Sequence, residues 1–536
     1  MSAITPQTDV YLLKVPLEID NENQLTFSNA TAQFNYFNGL SDKLLLDNFT
    51  YQRKDGVIRV PYGIDDILEY NYVMYRNEGF SNKWFYAYIT GMEFLNPNTT
   101  AISIKTDVFQ TWQFDLTYKQ TFVEREHVND DTIGSNTIEE NLELGDYVIN
   151  SATTIKPDKI VKDVNNTLIN TVYPIFFQTT TLVSGLSIAS SMFEARYNGV
   201  FSGLYYFAVG SDGDARAIIK RYADNGISDN IIAIFHAPKE FLQGARVFGE
   251  LGYNVYIPAD TYTVSQLADD VSITRPATIN GYTPKNNKLF VYPFSYVGVD
   301  NSTGITATFR YEDFINATPK FYIGGALGQG CSVKLCPVSY KNRGENIEVF
   351  DYGVVGAKYP VCAWAKDYYT NWVTQNAVNM GSDITKGLIS TAGNLMFGNT
   401  IGAAGSLVGT IGGLLGQVHQ AQHHPDQAAG DVNSSDLLLG WQRYYTVNCM
   451  SVRAEVARCI DEYFSMFGYK VNRVKTPNVT GRTNWNFVKT VGCYIDADIP
   501  QEDLQEIKNL FDKGITFWHN PTTFRDYSQS NGIVTP

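Results

Sequence analysis

Trp84-Phe-Tyr-Ala-Tyr-Ile89 and Ala101-Ile-Ser-Ile-Lys-Thr-Asp-Val-Phe109, with the turn signal Asn96-Pro-Asn98 between them, decide the fold class of this chain. Aromatic and β-branched residues alternate with polar ones at a period of two, the pattern of a strand with one buried and one wet face. Val57-Ile-Arg-Val60 repeats it behind Lys54-Asp-Gly56, a turn sequence. Tyr and Phe number 35 and 31, and most of the chain reads in this texture. The spacing predicts an antiparallel, sandwich-like or barrel-like N-terminal region, in which Ala101–Phe109 is one strand.

Outward from that region the pattern changes. Leu204-Tyr-Tyr-Phe-Ala-Val209 reads as a strand, Asp214 to Asp224 as a helix closed by Gly226, and Ile231-Ile-Ala-Ile-Phe235 as a second strand. Together they predict a β-α-β-like unit inside a separate, inserted α/β domain. Two helices are expected near the C-terminus. Val456, Ile460, Tyr463, Phe464 and Phe467 fall at helical spacing before Gly468, and Leu504, Ile507, Leu510 and Phe511 form a stripe between Pro500 and Gly514. The fold class is therefore mainly β with α+β elements, and 536 residues suffice for three to four domain-sized cores.

A net charge of −14 opposes nucleic-acid gripping, which needs clustered Lys and Arg, but suits a surface that a polyanion must slide past. The six cysteines show no CxxC pair and read as reduced, buried small hydrophobes. Met1–Leu13 shows no basic region ahead of an apolar one, so no signal peptide and synthesis in a cytoplasm are expected. No HExxH, GxxxxGK[ST], GxSxG or strand-following GxGxxG is present, which gives no catalytic residues, no metal ligands and no cofactor. Glu124-Arg-Glu-His127 is the densest charged cluster. Alternation reads it as a charged strand edge or a subunit contact rather than a catalytic or metal site.

One stretch departs from everything around it. Gly387 to Val418 runs for 32 residues without a charge, holds nine glycines, and leads to His419, His423 and His424. A helix in water with nine glycines loses roughly 7–9 kcal/mol in propensity against alanine, while Leu, Ile, Val, Met and Phe fill twelve of the other 23 positions. Three readings stay open: a membrane-active segment, a segment buried within an oligomer, and a Gly/Ala-rich linker. The first two are compatible. Gly405, Gly409 and Gly413 form a GxxxGxxxG series that lets helices approach closely in lipid, and about 20 residues span a bilayer. The three histidines are a candidate pH trigger, gaining charge as pH falls below about 6.5; the plainer reading is a polar tail of the loop.

The residues also carry a resemblance. Asp107-Val-Phe-Gln-Thr-Trp-Gln-Phe-Asp115, Thr121-Phe-Val-Glu-Arg-Glu-His-Val128, Val361-Cys-Ala-Trp364, Phe464-Ser-Met-Phe-Gly-Tyr-Lys-Val-Asn-Arg-Val-Lys475 and Gly514-Ile-Thr-Phe-Trp-His-Asn-Pro521 resemble, in matching order, the tail-knob (distal tail tube) proteins of small short-tailed phages, the Salasmaviridae-like and Rountreeviridae-like podoviruses. The match is less clear over about 150–300. The resemblance implies a virion protein at the tail tip, assembled in the host cytoplasm, with a β-rich tube domain (1–155, 296–379 and 438–536), an inserted knob domain (156–295) and an apolar loop (380–437). It implies a homohexamer that meets the upper tube or lower collar, a tip plug, genomic DNA passing without specific binding, and the host cytoplasmic membrane. Six loops would plug the tube and then enter that membrane as a channel. The membrane-inserting residues implied here are Leu395, Met396, Phe397, Ile401, Gly405, Leu407, Val408, Gly409, Ile411, Gly413, Leu414 and Leu415. The competing class is a receptor-binding or cell-wall-degrading tail tip, which needs an aromatic-lined saccharide cleft and, for hydrolysis, opposed carboxylates.

Overall fold

The computed structural model describes residues 8–49, 56–77, 82–163, 165–170, 174–197, 199–248, 251–258, 265–302, 304–327, 332–356 and 445–534, with two short strands at 364–365 and 428–429. The loop residues 395–415 and His419, His423 and His424 lie outside the described residues. The chain divides into two compact units: Met1–Gly145 with Tyr282–Phe290 and Ala454–Pro536, and Asp146–Gly281 with Val291–Arg453.

The first unit opens with an antiparallel six-stranded sheet in the order Lys43–Phe49, Thr8–Leu13, Tyr72–Asn77, Trp84–Asn96, Thr99–Thr106, Val57–Val60. Asn96-Pro-Asn98 makes the expected turn, with Asn96 Oδ1 accepting from the Asn98 amide at 2.9 Å. The strand does not continue to Phe109. It ends at Thr106 because Asp107 caps a short helix, Val108–Trp112, its Oδ1 accepting from the Gln110 amide at 3.0 Å. A side-chain cap offers the backbone an alternative to the ladder, and alternation alone cannot reveal it.

Asp107 is fully buried, and its other oxygen accepts from Tyr72 Oη at 3.0 Å. Burial raises its carboxyl pKa, against hydrogen bonds from Gln110, Tyr88, Tyr72 and Gln24 that lower it. Gln110 extends the network to Gln24 Oε1 at 2.8 Å and the Leu25 carbonyl at 2.7 Å, and so ties the helix to the strand Asn23–Leu25.

That strand begins a second sheet, ordered Asn23–Leu25, Ile515–Trp518, Trp485–Val491, Thr121–Glu126, Tyr469–Lys475. Only the first pairing is parallel. Phe37, Tyr72, Tyr86 and Tyr88 meet Trp485 and Trp518 in one aromatic core, where edge and offset ring contacts each add about 0.5–1.5 kcal/mol beyond area burial. Helices Ala454–Phe467 and Gln501–Lys513 form where the apolar spacing puts them. The second is also fixed to Val108–Trp112 by the Trp112 indole donating to Asp503 at 2.8 Å.

In the second unit, Val200–Val209, helix Asp212–Asp224 and Ile231–His236 follow the expected β-α-β order. The two strands do not pair. Ile175–Thr179 lies between them, antiparallel to both, so they run parallel to each other as a split β-α-β unit. Tyr147–Ile155 and Ser295–Asp300 flank Tyr445–Val452 in a second sheet, and Lys320–Ala326 pairs with Ser332–Val338 in a third. One continuous core runs from Ile155 to Cys449. The described part of 296–379 therefore packs with the unit expected to be the insertion, and the chain parts at 145/146 rather than 155/156. The cause is strand pairing: Tyr147–Ile155, placed by the sequence reading in the first domain, completes a ladder with Tyr445–Val452.

Cys336, Cys449 and Cys493 are free and buried as expected, whereas Cys459 is exposed on the outer face of its helix, opposite Ala457, Ile460 and Phe464. Cys331 and Cys362 lie outside the described residues. Asp107→Ala removes a helix cap and leaves the Tyr72 hydroxyl without its acceptor, and is expected to cost roughly 3 kcal/mol. Urea midpoints of the variant and the parent chain check this.

Candidate functional site

Glu124-Arg-Glu-His127 does not lie at a sheet edge. The strand Thr121–Glu126 is flanked by Trp485–Val491 and Tyr469–Lys475, so its charges meet protein on both sides. Glu126 is fully buried, accepts from the Asn478 amide at 2.8 Å and pairs with Lys475. Arg125 donates to the Gly468 carbonyl at 2.6 Å, pairs with Glu140 and lies over the Tyr463 ring. Gly468 has φ +65, and a Cβ there would sit 2.1 Å from the Glu126 carbonyl oxygen. Only glycine permits this crossing of helix end and strand.

Glu140 is the meeting point. Its side chain accepts from Lys288 Nζ at 2.6 Å and from the Lys470 amide at 2.8 Å, besides pairing with Arg125. Lys288 is buried against the rings of Tyr469 and Phe464, and burial lowers its pKa against the opposing pull of Glu140. A buried carboxylate facing two cations is stable only with its hydrogen bonds filled, and here each oxygen is taken.

Lys288 belongs to Tyr282–Phe290, a nine-residue excursion of the chain into the first unit. Asp461 anchors that excursion. Its carboxylate accepts from Tyr282 Oη at 2.7 Å, the Lys285 amide at 2.7 Å, the Asn286 amide at 3.0 Å and Asn286 Nδ2 at 2.8 Å. Asn286 also donates to Ser465 Oγ at 2.8 Å. Asp131 holds the next turn, accepting from Tyr469 Oη at 2.6 Å and from the Asn287 amide at 3.1 Å.

Beside this anchor lies a cleft of about 830 Å³ lined by His127, Asp131, Asn287, Arg482, Trp485 and Tyr527, among others. His127 Nδ1 accepts from the Phe487 amide at 2.8 Å, which leaves the proton on Nε2, 3.1 Å from the Ser465 carbonyl oxygen. With both ring nitrogens occupied the imidazole has no lone pair to offer as a base. Burial lowers its pKa to about 3 and that of His519 to about 4. No group of three or more His, Cys, Asp or Glu side chains able to hold a metal occurs among the described residues. The arrangement fastens segments together.

Sequence reasoning missed Asp461, Asn286 and Lys288. One signal was available: Asp461 shares the buried face of its helix with Ala457 and Phe464, where an unpaired carboxylate has no place.

The family described as Bacillus phage phi29, tail knob protein gp9, C-terminal domain matches residues 260–532, and the caudoviral major tail protein N-terminus matches 6–117. This chain belongs to the tail-knob protein family. It is similar to tail knob protein gp9 of Bacillus phage phi29, at 26% identity over 97% of this chain and 98% of the relative, and to that of Bacillus phage B103, at 24% over 98% of each. The solved structure of the bacteriophage C1 tail knob protein gp12 shares the fold, with a TM-score of 0.64 and 14% identity, covering 98% of this chain and 100% of that one. The family resemblance read from the sequence holds, and with it a place in the virion tail as a structural component of a short-tailed phage.

His127, buried, and His519, half-buried, give this tail-knob chain a pH dependence with a definite sign. Their folded pKa values lie below the ordinary 6.5, so the stability they contribute is complete above about pH 6.5 and declines as pH falls toward 3–4. Between pH 6.5 and 5, His127 alone should cost roughly 2 kcal/mol at about 1.4 kcal/mol per pH unit. Urea unfolding at the two pH values measures it, and equal midpoints contradict it.

Proposed function

We propose that this tail-knob chain forms, as a homohexamer, the distal tube of a short non-contractile tail, and that the tube conducts the genome during ejection. The first compact unit is assigned to the tube wall and the second to the knob. In this reading the chain is no enzyme and needs no cofactor. Its partners are its own copies, the tail proteins above it and the plug at its tip, DNA passing through the lumen without specific binding, and the host cytoplasmic membrane. A net charge of −14 suits a lumen to which a polyanion does not adhere.

The observation that carries the membrane step is the uncharged run Gly387–Val418. A segment rich in Leu, Ile and Gly needs a protein cavity before infection and lipid after it. Leu395, Met396 and Phe397 with Ile401, Gly405, Leu407, Val408, Gly409, Ile411, Gly413, Leu414 and Leu415 are proposed as the lipid-facing part, and His419, His423 and His424 as a pH trigger for its release. Among the described residues no helix is long and apolar enough to cross a membrane, so the proposal rests on this run alone.

Dye release from lipid vesicles tests it at about pH 5 and pH 7.5. The intact chain is expected to release dye and a chain lacking 385–418 is not; no release by either removes the membrane step. If replacing the three histidines by Gln leaves the pH dependence unchanged, the trigger is removed while the channel stands.

A further inference from the structure

The sheet that carries Glu124–His127 has one face only partly covered. Helix Ala454–Phe467 covers part of it, with Phe467 against Phe487 and Tyr463 under Arg125. Further along the same strands, Val474 and Val491 both stand in register with Phe122. This makes a row of three apolar side chains across three adjacent strands, and they are 67%, 57% and 39% exposed. The residues next to them, Val123 and Thr490, point the other way and are buried, so the exposure belongs to one face of a well-packed sheet. Between this row and the helix lies a charged row, in which Lys470 and Lys489 both pair in register with Arg125; Lys489 lies 2.9 Å from Glu124, and Arg125 is paired with Glu140. The apolar row is two strand spacings wide, roughly 10 Å, and Lys470 and the Lys489–Glu124 pair border it.

The same unit carries a feature of opposite charge and matching size. Past Tyr88 the hairpin strand Trp84–Asn96 loses its partner Tyr72–Asn77 and becomes an edge, still packed on the core through Met92, and its end presents Phe94 and Leu95, 56% and 42% exposed, beside an exposed Glu93. Next to that tip Gly63 lies against the Pro97 carbonyl, and the turn of helix after it, Ile64–Ile67, adds Asp65 and Asp66 to the acidic border.

We propose that the Phe94–Leu95 tip of one copy seats on the Val474–Phe122–Val491 row of a second copy, with Glu93, Asp65 and Asp66 facing Lys470 and sharing Lys489 with Glu124. The inference rests on the self-assembly reading above and gives that assembly its contact. Tip and row are different surfaces of one chain, so the contact is heterologous, and repetition of it closes into a ring when the rotation closes. Burying two apolar side chains of the tip against three of the row supplies the attraction, and the charges fix orientation and exclude the reverse pairing.

Native mass spectrometry of the full chain tests this with Phe94→Asp and Val474→Asp. Both positions are exposed, so thermal midpoints should stay at the parental value; if Val474→Asp does not fold, Val491→Asp reads the same row. Each variant alone is expected to be monomeric. Mixed, they should form a 1:1 dimer and nothing larger, because each retains one complementary face. Parent-sized assemblies from Val474→Asp overturn this contact and leave the ring reading intact, whereas a parent chain that is monomeric at every concentration overturns both. Two monomeric variants that do not pair when mixed overturn the tip as the occupant.

Discussion

The carboxylate of Asp461 is the fixed point of the first unit. It sits on the buried face of a helix, where a charge survives only if every lone pair is used, and its partners are backbone and side-chain donors of a single excursion, Tyr282–Phe290. Breaking a buried ionic group from one side strands the other, so such an anchor is costly to remove and specifies one arrangement. Lys288, carried by the same excursion, reaches Glu140, and Glu140 in turn holds Arg125 and the start of the strand at Lys470. Remove the excursion and the helix, the central strand and the edge strand each lose a partner.

This dependence explains why a sequence with so many aromatic residues has a well-defined polar interior as well. Flat rings such as Trp485 and Trp518 supply area but tolerate sliding, while the hydrogen-bonded carboxylates Asp107, Asp131, Glu140 and Asp461 set register. The two kinds of contact divide the labour between driving force and specificity. A frame built this way is fixed at its anchors, which suits a structural component of a virion tail.

Local pattern made much of this legible. Period-two alternation located the N-terminal sheet and helical spacing located Ala454–Phe467 and Gln501–Lys513, because each depends on neighbours in sequence. Long-range pairing was not legible. Glu124–His127 read as a strand edge because nothing local announces that Tyr469–Lys475 and Trp485–Val491 will flank it. The domain limits moved for the same reason, since Tyr147–Ile155 pairs with a strand near residue 450. The break at Asp107 was a local competition that hydrophobic period does not register: a cap won against one more turn of ladder. The family was legible because it is carried by long local blocks, Phe464–Lys475 and Gly514–Pro521 among them, which fold as a helix end and as strands of the second sheet.

Under the proposed function, the uncharged run Gly387–Val418 exchanges a protein environment for a lipid one. Hydrogen–deuterium exchange of the intact chain, followed over peptides covering 395–415 with and without lipid vesicles, tests it most directly. Vesicles are expected to slow exchange across these peptides, since amides in a bilayer must bond internally, while peptides of the anchored sheet around Thr121–Glu126 exchange at the same rate in both samples. Equal exchange of the 395–415 peptides with and without vesicles, under conditions where the chain is bound to them, would contradict it.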